Sequence, residues 1–360
     1  MKCRVVFNVV SLLGLSLILV SCGGGSSPAT AAIIYVAQSQ SHSLAVINVP
    51  ADKTVASIQI GNSSVGYSTT TPSYPTGVAV TPDGSRAYVT DASTSVWVVD
   101  SGSNSVIAKI AAGSDPGAIA ITADGKSAYV TSIACGAPSC PDNPPPLASV
   151  EVIDTASNSL TATVTIGDVP VGNTPGVLLS GIAISPDGTR VYASNAEGNQ
   201  IWGIDTASNQ VVATIPTAVL GFVGMSISPD GGRLYAASVG NPSVVDVIDT
   251  KTDTVATSIA LPGSDVPTRI AVTPDGTHAY VTGETGHVWV IDTTTNATVT
   301  TIPISDGQPL LDIAFTPDGT RAYIACGNNN AIYVLDTATS HILSQITSAY
   351  PGGVAISRPK

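Results

Sequence analysis

A three-residue turn recurs six times along this chain, always at the same place in a longer unit. The copies are Pro82-Asp83-Gly84, Ala123-Asp124-Gly125, Pro186-Asp187-Gly188, Pro229-Asp230-Gly231, Pro274-Asp275-Gly276 and Pro317-Asp318-Gly319. Proline presets φ at the first turn position, aspartate accepts hydrogen bonds within its own turn, and glycine takes the positive φ that closes it. A short apolar stretch such as Gly77-Val78-Ala79-Val80 precedes each turn. A stretch centred on Tyr88, Tyr129, Tyr192, Tyr235, Tyr280 or Tyr323 follows it. Each turn therefore reads as a hairpin between two strands. A third stretch runs into an acidic turn such as Ile204-Asp205-Thr206, completed by Asn104, Asn158, Asn209, Asp253, Asn296 or Ser340. A fourth stretch, as in Thr298-Val299-Thr300-Thr301-Ile302, closes the unit. Four antiparallel strands in a repeat of about 40–45 residues is the pattern of a β-propeller.

The ends of the chain complete the count. Ile33-Ile34-Tyr35-Val36 matches a second strand, and Pro351–Ser357 matches a first strand. One split unit and six whole ones predict an all-β, seven-bladed propeller. Blade 1 takes its inner strand from the C-terminal end, which leaves no open ring edge. The composition agrees: only 11% of residues are charged, and the chain carries 34 glycines and 25 prolines.

The words Tyr88-Val89-Thr90, Tyr129-Val130-Thr131 and Tyr280-Val281-Thr282 lie between a Pro/Ala-Asp-Gly turn and an Ile-Asp-Thr or Val-Asp-Ser turn. In this the chain resembles the YVTN-repeat β-propeller family, over everything beyond about residue 33. Tyr192-Ala193-Ser194 and Tyr235-Ala236-Ala237 depart from the word, with small residues that still suit a strand. The resemblance implies a cell-surface or periplasmic protein. Related seven-bladed folds include lactonases, streptogramin lyases and the propeller subunits of amine dehydrogenases.

The N-terminal segment reads as a targeting signal, residues 1–21, and not as part of the fold. Lys2 and Arg4 precede a mostly apolar run, Val5–Val20, that is short and interrupted for a membrane-spanning helix. It ends in Leu19-Val20-Ser21-Cys22, which resembles the bacterial lipobox, where the cysteine sulfur receives a lipid and cleavage falls just before it. The alternatives are an ordinary signal peptide with an incidental cysteine, or an uncleaved anchor. Residues 22–32, rich in Gly and Ser, read as a flexible tether, and 33–360 as the propeller. Gly23 after the cysteine favours the outer membrane if the host is Gram-negative. The expectation is thus an exported, membrane-anchored monomer. Its formal net charge of −12 repels phosphate backbones and argues against nucleic acid as a partner.

Few residues suggest chemistry. The four histidines, His42, His278, His287 and His341, are scattered among turns and loops, so no metal site is expected. No motif for haem attachment, a zinc hydrolase or a nucleophile elbow occurs, and no cofactor is expected. Trp97, Trp202 and Trp289 share a third-strand position with Glu151, Asp246 and Tyr333, which reads as a partly exposed outer site. Cys135 and Cys140 lie in a proline-rich insertion, and export makes a disulfide between them the expectation. Cys326 belongs to a distant blade.

Inner strands crowd near the axis, so small residues should line it. The residue opening each apolar core is Gly77, Ala118, Gly181, Gly224, Arg269, Asp312 and Gly353. The two exceptions carry opposite charges in adjacent blades, which predicts that Arg269 and Asp312 meet at the channel mouth. They would form either a structural ion pair or a polar anchor for a ligand. The sequence therefore points to a non-enzymatic binding or scaffold lipoprotein that engages a protein, glycan or small molecule through its irregular loop face. A lactonase- or lyase-like enzyme with its site at the channel mouth is the alternative, and an accessory subunit of a periplasmic redox system is the third reading.

Overall fold

The structure is a computed structural model. It describes residues 32–49, 51–61, 75–134, 147–168 and 177–357. Cys22, Cys135 and Cys140 lie outside the described residues, as does most of each irregular loop.

The chain forms seven four-stranded antiparallel sheets, each with consecutive strands in order except where the ends meet. Blade 2 runs from Pro75–Val80 to Ser105–Ala111, and blade 3 from Ile119–Ile121 to Ser159–Asp168. Blade 4 runs from Leu179–Ile184 to Gln210–Pro216, and blade 5 from Phe222–Ile227 to Thr254–Ala260. Blade 6 runs from Pro267–Val272 to Ala297–Pro303, and blade 7 from Leu310–Phe315 to Ile342–Thr347. Blade 1 joins Pro351–Ile356 to Ile33–Gln38, Ser43–Asn48 and Lys53–Gln59, so a strand from the C-terminal end closes the ring. The first strand of each blade packs against the first strands of its neighbours around the axis.

Local chemistry accounts for the turns. Asp83 Oδ1 accepts from Ser85 N (2.9 Å) and Thr81 Oγ1 (2.6 Å), while Gly84 adopts φ 68°. The second set of turns places Asn104, Asn158, Asn209, Asp253, Asn296 and Ser340 at φ between 50° and 59°, a conformation in which short polar side chains are tolerated. Asp52 takes the same place in blade 1, at φ 51°.

Hydrophobic side chains pack between blades rather than in one central core. Tyr235 and Val247 of blade 5, for example, meet Ile270, Ala279 and Trp289 of blade 6. Outer strands alternate exposed and covered residues, whereas second and third strands are covered on both faces. This corrects the expectation for the Trp97 position. Trp202, Trp289, Glu151, Asp246 and Tyr333 are all buried there, and only Trp97 is half-buried. A third strand is sandwiched by the adjacent blade, so its polar residues need internal partners. Glu151 accepts from the hydroxyls of Ser132, Ser149 and Thr163. Asp246 accepts from Ser258, and its Oδ2 has no hydrogen-bond partner among the described residues.

Candidate functional site

Six of the seven inner strands carry a register irregularity near their loop-face end, and in blade 1 the register of the pair closing the ring shifts there. Only the short inner strand of blade 3, Ile119–Ile121, pairs without one. In blade 6 it falls between Pro267 and Arg269, and in blade 7 between Leu310 and Asp312. An extra residue at this point bends the strand and re-aims the next side chain toward the axis. Gly77, Ala118, Gly181, Gly224, Arg269, Asp312 and Gly353 accordingly line one axial cavity of about 480 Å³. The small residues are there because the inner strands approach closely. A Cβ on Gly77 would stand 2.7 Å from Gly117 O, and one on Gly353 2.7 Å from Thr76 O.

The cavity lies at the loop-face ends of the inner strands, with Ser39 of a loop between strands also lining it. Its apolar lining includes Val78, Ile119, Ile182, Met225, Ile270 and Leu311, and among the described residues Arg269 and Asp312 are its only charged side chains.

Arg269 and Asp312 share this cavity, and the guanidinium draws the carboxyl toward its ionised form. Yet no ion pair within 4.0 Å joins them among the described residues. Each is bound to the backbone of a neighbouring blade instead. Arg269 Nη1 donates to Val223 O of blade 5 (2.6 Å) and to Thr268 O (3.0 Å). Asp312 Oδ2 accepts from Val354 N of blade 1 (2.7 Å), and Oδ1 from Ile313 N (2.9 Å). Protein packed around the Asp312 carboxyl raises its pKa above the ordinary carboxylate value, outweighing the pull of Arg269 and of the two N–H groups.

The position one residue earlier also bridges some of the seams. Thr76, Ser180 and Thr268 donate across their seams to Pro116 O, Phe222 O and Leu310 O. Blades 1, 3, 5 and 7 carry Gly352, Gly117, Val223 and Leu311 at that position, which have no hydroxyl to donate. At the seam after blade 5, Arg269 reaches back to Val223 O, and at the seam after blade 7, Asp312 reaches forward to Val354 N.

Histidines do not line the cavity. Among the described residues no three His, Cys, Asp or Glu side chains are grouped as a metal site. His287 Nδ1 lies 3.7 Å from Asp265 Oδ2 on the loop face, and His278 lies beside Thr277 in a hairpin turn. Cys326 is a buried free thiol at a strand end.

No protein-family model matches the chain, and no curated protein matches it. Solved structures do. One, described as Kuenenia stuttgartiensis Hydrazine Synthase, aligns with TM-score 0.65 and 24% identity over 80% of this chain and 90% of its own. A functionally unknown protein from Desulfotomaculum acetoxidans aligns with TM-score 0.72 and 16% identity, over 91% of this chain and 99% of its own. Dihydro-heme d1 dehydrogenase NirN in complex with DHE aligns with TM-score 0.63 and 16% identity, over 94% of this chain and 77% of its own. These similarities show the seven-bladed propeller fold.

Proposed function

We propose that this chain is a ligand-binding propeller of the bacterial cell envelope, exported, anchored through a lipid on Cys22, with the axial cavity as its binding site. The observation that carries the reading is the cavity itself. It is concave, of small-molecule size, lined by both polar and apolar groups, and provided with one cation and one carboxyl. Its position suits the anchor. Ile33 pairs with Asn48 and lies beside Ile356, so the chain enters the ring on the face of the short turns. A tether of residues 22–32 would reach about 3.5 Å per residue from that face. The cavity mouth and the irregular loops would then point away from the membrane, open to soluble ligands or partners.

The test is native mass spectrometry of the protein released from its own membranes, with and without gentle organic extraction. A small molecule lost on extraction, and excluded when Gly224→Leu fills the axis, is the expected result. A protein that carries no ligand and gains no thermal stability from any member of a metabolite library would overturn the reading.

A second reading, an accessory subunit of a redox system, draws on the names of two similar structures, a synthase and a dehydrogenase. It rests on likeness of fold alone. A visible absorbance band that co-purifies with the native protein would favour it. A lactonase or lyase would have to work with the one carboxyl and one guanidinium of the cavity wall, and turnover in a hydrolase and lyase screen tests it.

A further inference from the structure

We propose that Arg269 makes the axial cavity a receptor for a small organic carboxylate, with the free guanidinium edge holding the anionic head and the apolar lining holding the body. The inference rests on the reading of the cavity as the binding site.

The geometry of Arg269 separates a structural edge from an open one. Nη1 is engaged by Val223 O and Thr268 O, which pins the group to the wall at the seam of blades 5 and 6. Guanidinium carries five N–H donors in a fixed plane. Those on Nη2 and Nε have no partner among the described residues, and Arg269 is exposed within the cavity lining. A pinned, planar, partly unsatisfied guanidinium is preorganised for two parallel hydrogen bonds to a carboxylate.

Asp312 does not neutralise that edge by direct pairing. Both of its oxygens already accept backbone N–H groups, from Ile313 and Val354. It limits the ligand instead. A second negative charge on the ligand would face an acidic wall, so one carboxylate is favoured over a dianion such as phosphate. Val78, Ile119, Ile182, Met225 and Ile270 pack between blades, and the parts of them and of Leu311 that reach the cavity offer apolar surface to a small hydrocarbon or aromatic body.

Proton linkage follows from the same arrangement. Asp312 is raised above its ordinary value, and a bound carboxylate raises it further by repulsion. The charged and titratable groups on the elements packed around it are few. Pro267–Val272 brings Arg269, and Pro351–Ile356 brings none. Arg321–Cys326 brings the buried Cys326 thiol, Tyr323 and, at its far end, Arg321, while His278–Gly283 brings His278 and Tyr280 toward its far end.

The experiment is calorimetric titration of the folded protein with benzoate and butyrate, against benzyl alcohol and butanol as neutral bodies and inorganic phosphate as a bare anion. The expected result is saturable binding of the carboxylates, weaker by at least about tenfold in Arg269→Gln and partly restored in Arg269→Lys. The neutral bodies should bind equally weakly to all three proteins. Carboxylate affinity should rise as pH falls through the raised value of Asp312, and Asp312→Asn should flatten that dependence. Circular dichroism melts confirm that each variant is folded. Carboxylates and alcohols that bind alike, or an Arg269→Gln variant that binds benzoate unchanged, would overturn the carboxylate inference while leaving the cavity as a site. Tighter binding of phosphate than of benzoate would overturn it in the same way. Failure of every probe, neutral ones included, would overturn both.

Discussion

The hydroxyl of Tyr323 donates to Asp52 Oδ1 at 2.7 Å, joining blade 7 to blade 1 across 271 residues of sequence. Arg321 Nη1 and Ser344 Oγ reach the other oxygen at 3.4 Å and 3.0 Å. The same latch ties consecutive blades. Tyr192 and Arg190 grip Asp253, and Tyr88 grips Asn158. The seam that closes the ring is therefore built like the seams inside the chain. Its acceptor, Asp52, belongs to a turn that lacks the Ile-Asp-Thr word.

Asp52→Ala should cost about 2–3 kcal/mol, because it removes a charged acceptor shared by three donors in a partly buried seam. Urea melts measure it, with Asp253→Ala as the matching cut at an internal seam. A loss below about 0.5 kcal/mol would show that the latch is ornamental.

Deleting residues 351–360 removes the inner strand of blade 1 and exposes the unpaired edge of Ile33–Gln38. The melting temperature should fall by more than about 10 °C, or the transition should lose its cooperativity. A truncated protein melting within about 2 °C of the intact one would contradict closure by that strand.

Two populations of aspartate should pull stability in opposite directions with pH. Burial raises Asp246, whose Oδ2 is unpartnered among the described residues, so its contribution is fully present below the ordinary aspartate value and is lost as pH rises through its folded-state value. Asp246→Asn should therefore gain stability relative to the wild type as pH rises from about 4 to about 8. The turn aspartates behave conversely. Hydrogen bonds from Ser208 and from Thr295 hold Asp205 and Asp292 below the ordinary value. Their contribution is present above that value and lost as pH falls through the lowered one. Denaturant melts across the pH range check both, and a stability that is flat in both variant and wild type would count against the assignment.

Cys22→Ala should abolish incorporation of radiolabelled fatty acid and release the protein from membranes or block its maturation. Label retained in the variant would remove the anchor from the proposed function.

Thiol titration of the mature protein, unfolded without reductant, should find one free cysteine. Cys326 is a buried free thiol. Cys3 would leave with the signal, Cys22 would be acylated, and Cys135 would be bridged to Cys140. Three free thiols would exclude that bridge.

Blade number, strand order and turn chemistry were legible in the chain because each depends on neighbours a few residues away. Pro274-Asp275-Gly276 makes a hairpin whatever surrounds it, and a word repeated at fixed spacing must make the same unit each time. The column Gly77 to Gly353 was legible for a related reason, since crowding at an axis selects small residues wherever the ring closes. Only the tertiary structure decided what the exceptions do. Arg269 and Asp312 stand side by side in the sequence column, but the donors and acceptors that capture them lie 46 and 42 residues away, at Val223 O and Val354 N. The Trp97 column was misread for the same cause. Whether a third-strand side chain meets water depends on the blade stacked against it, and no periodicity within the strand records the presence of that neighbour.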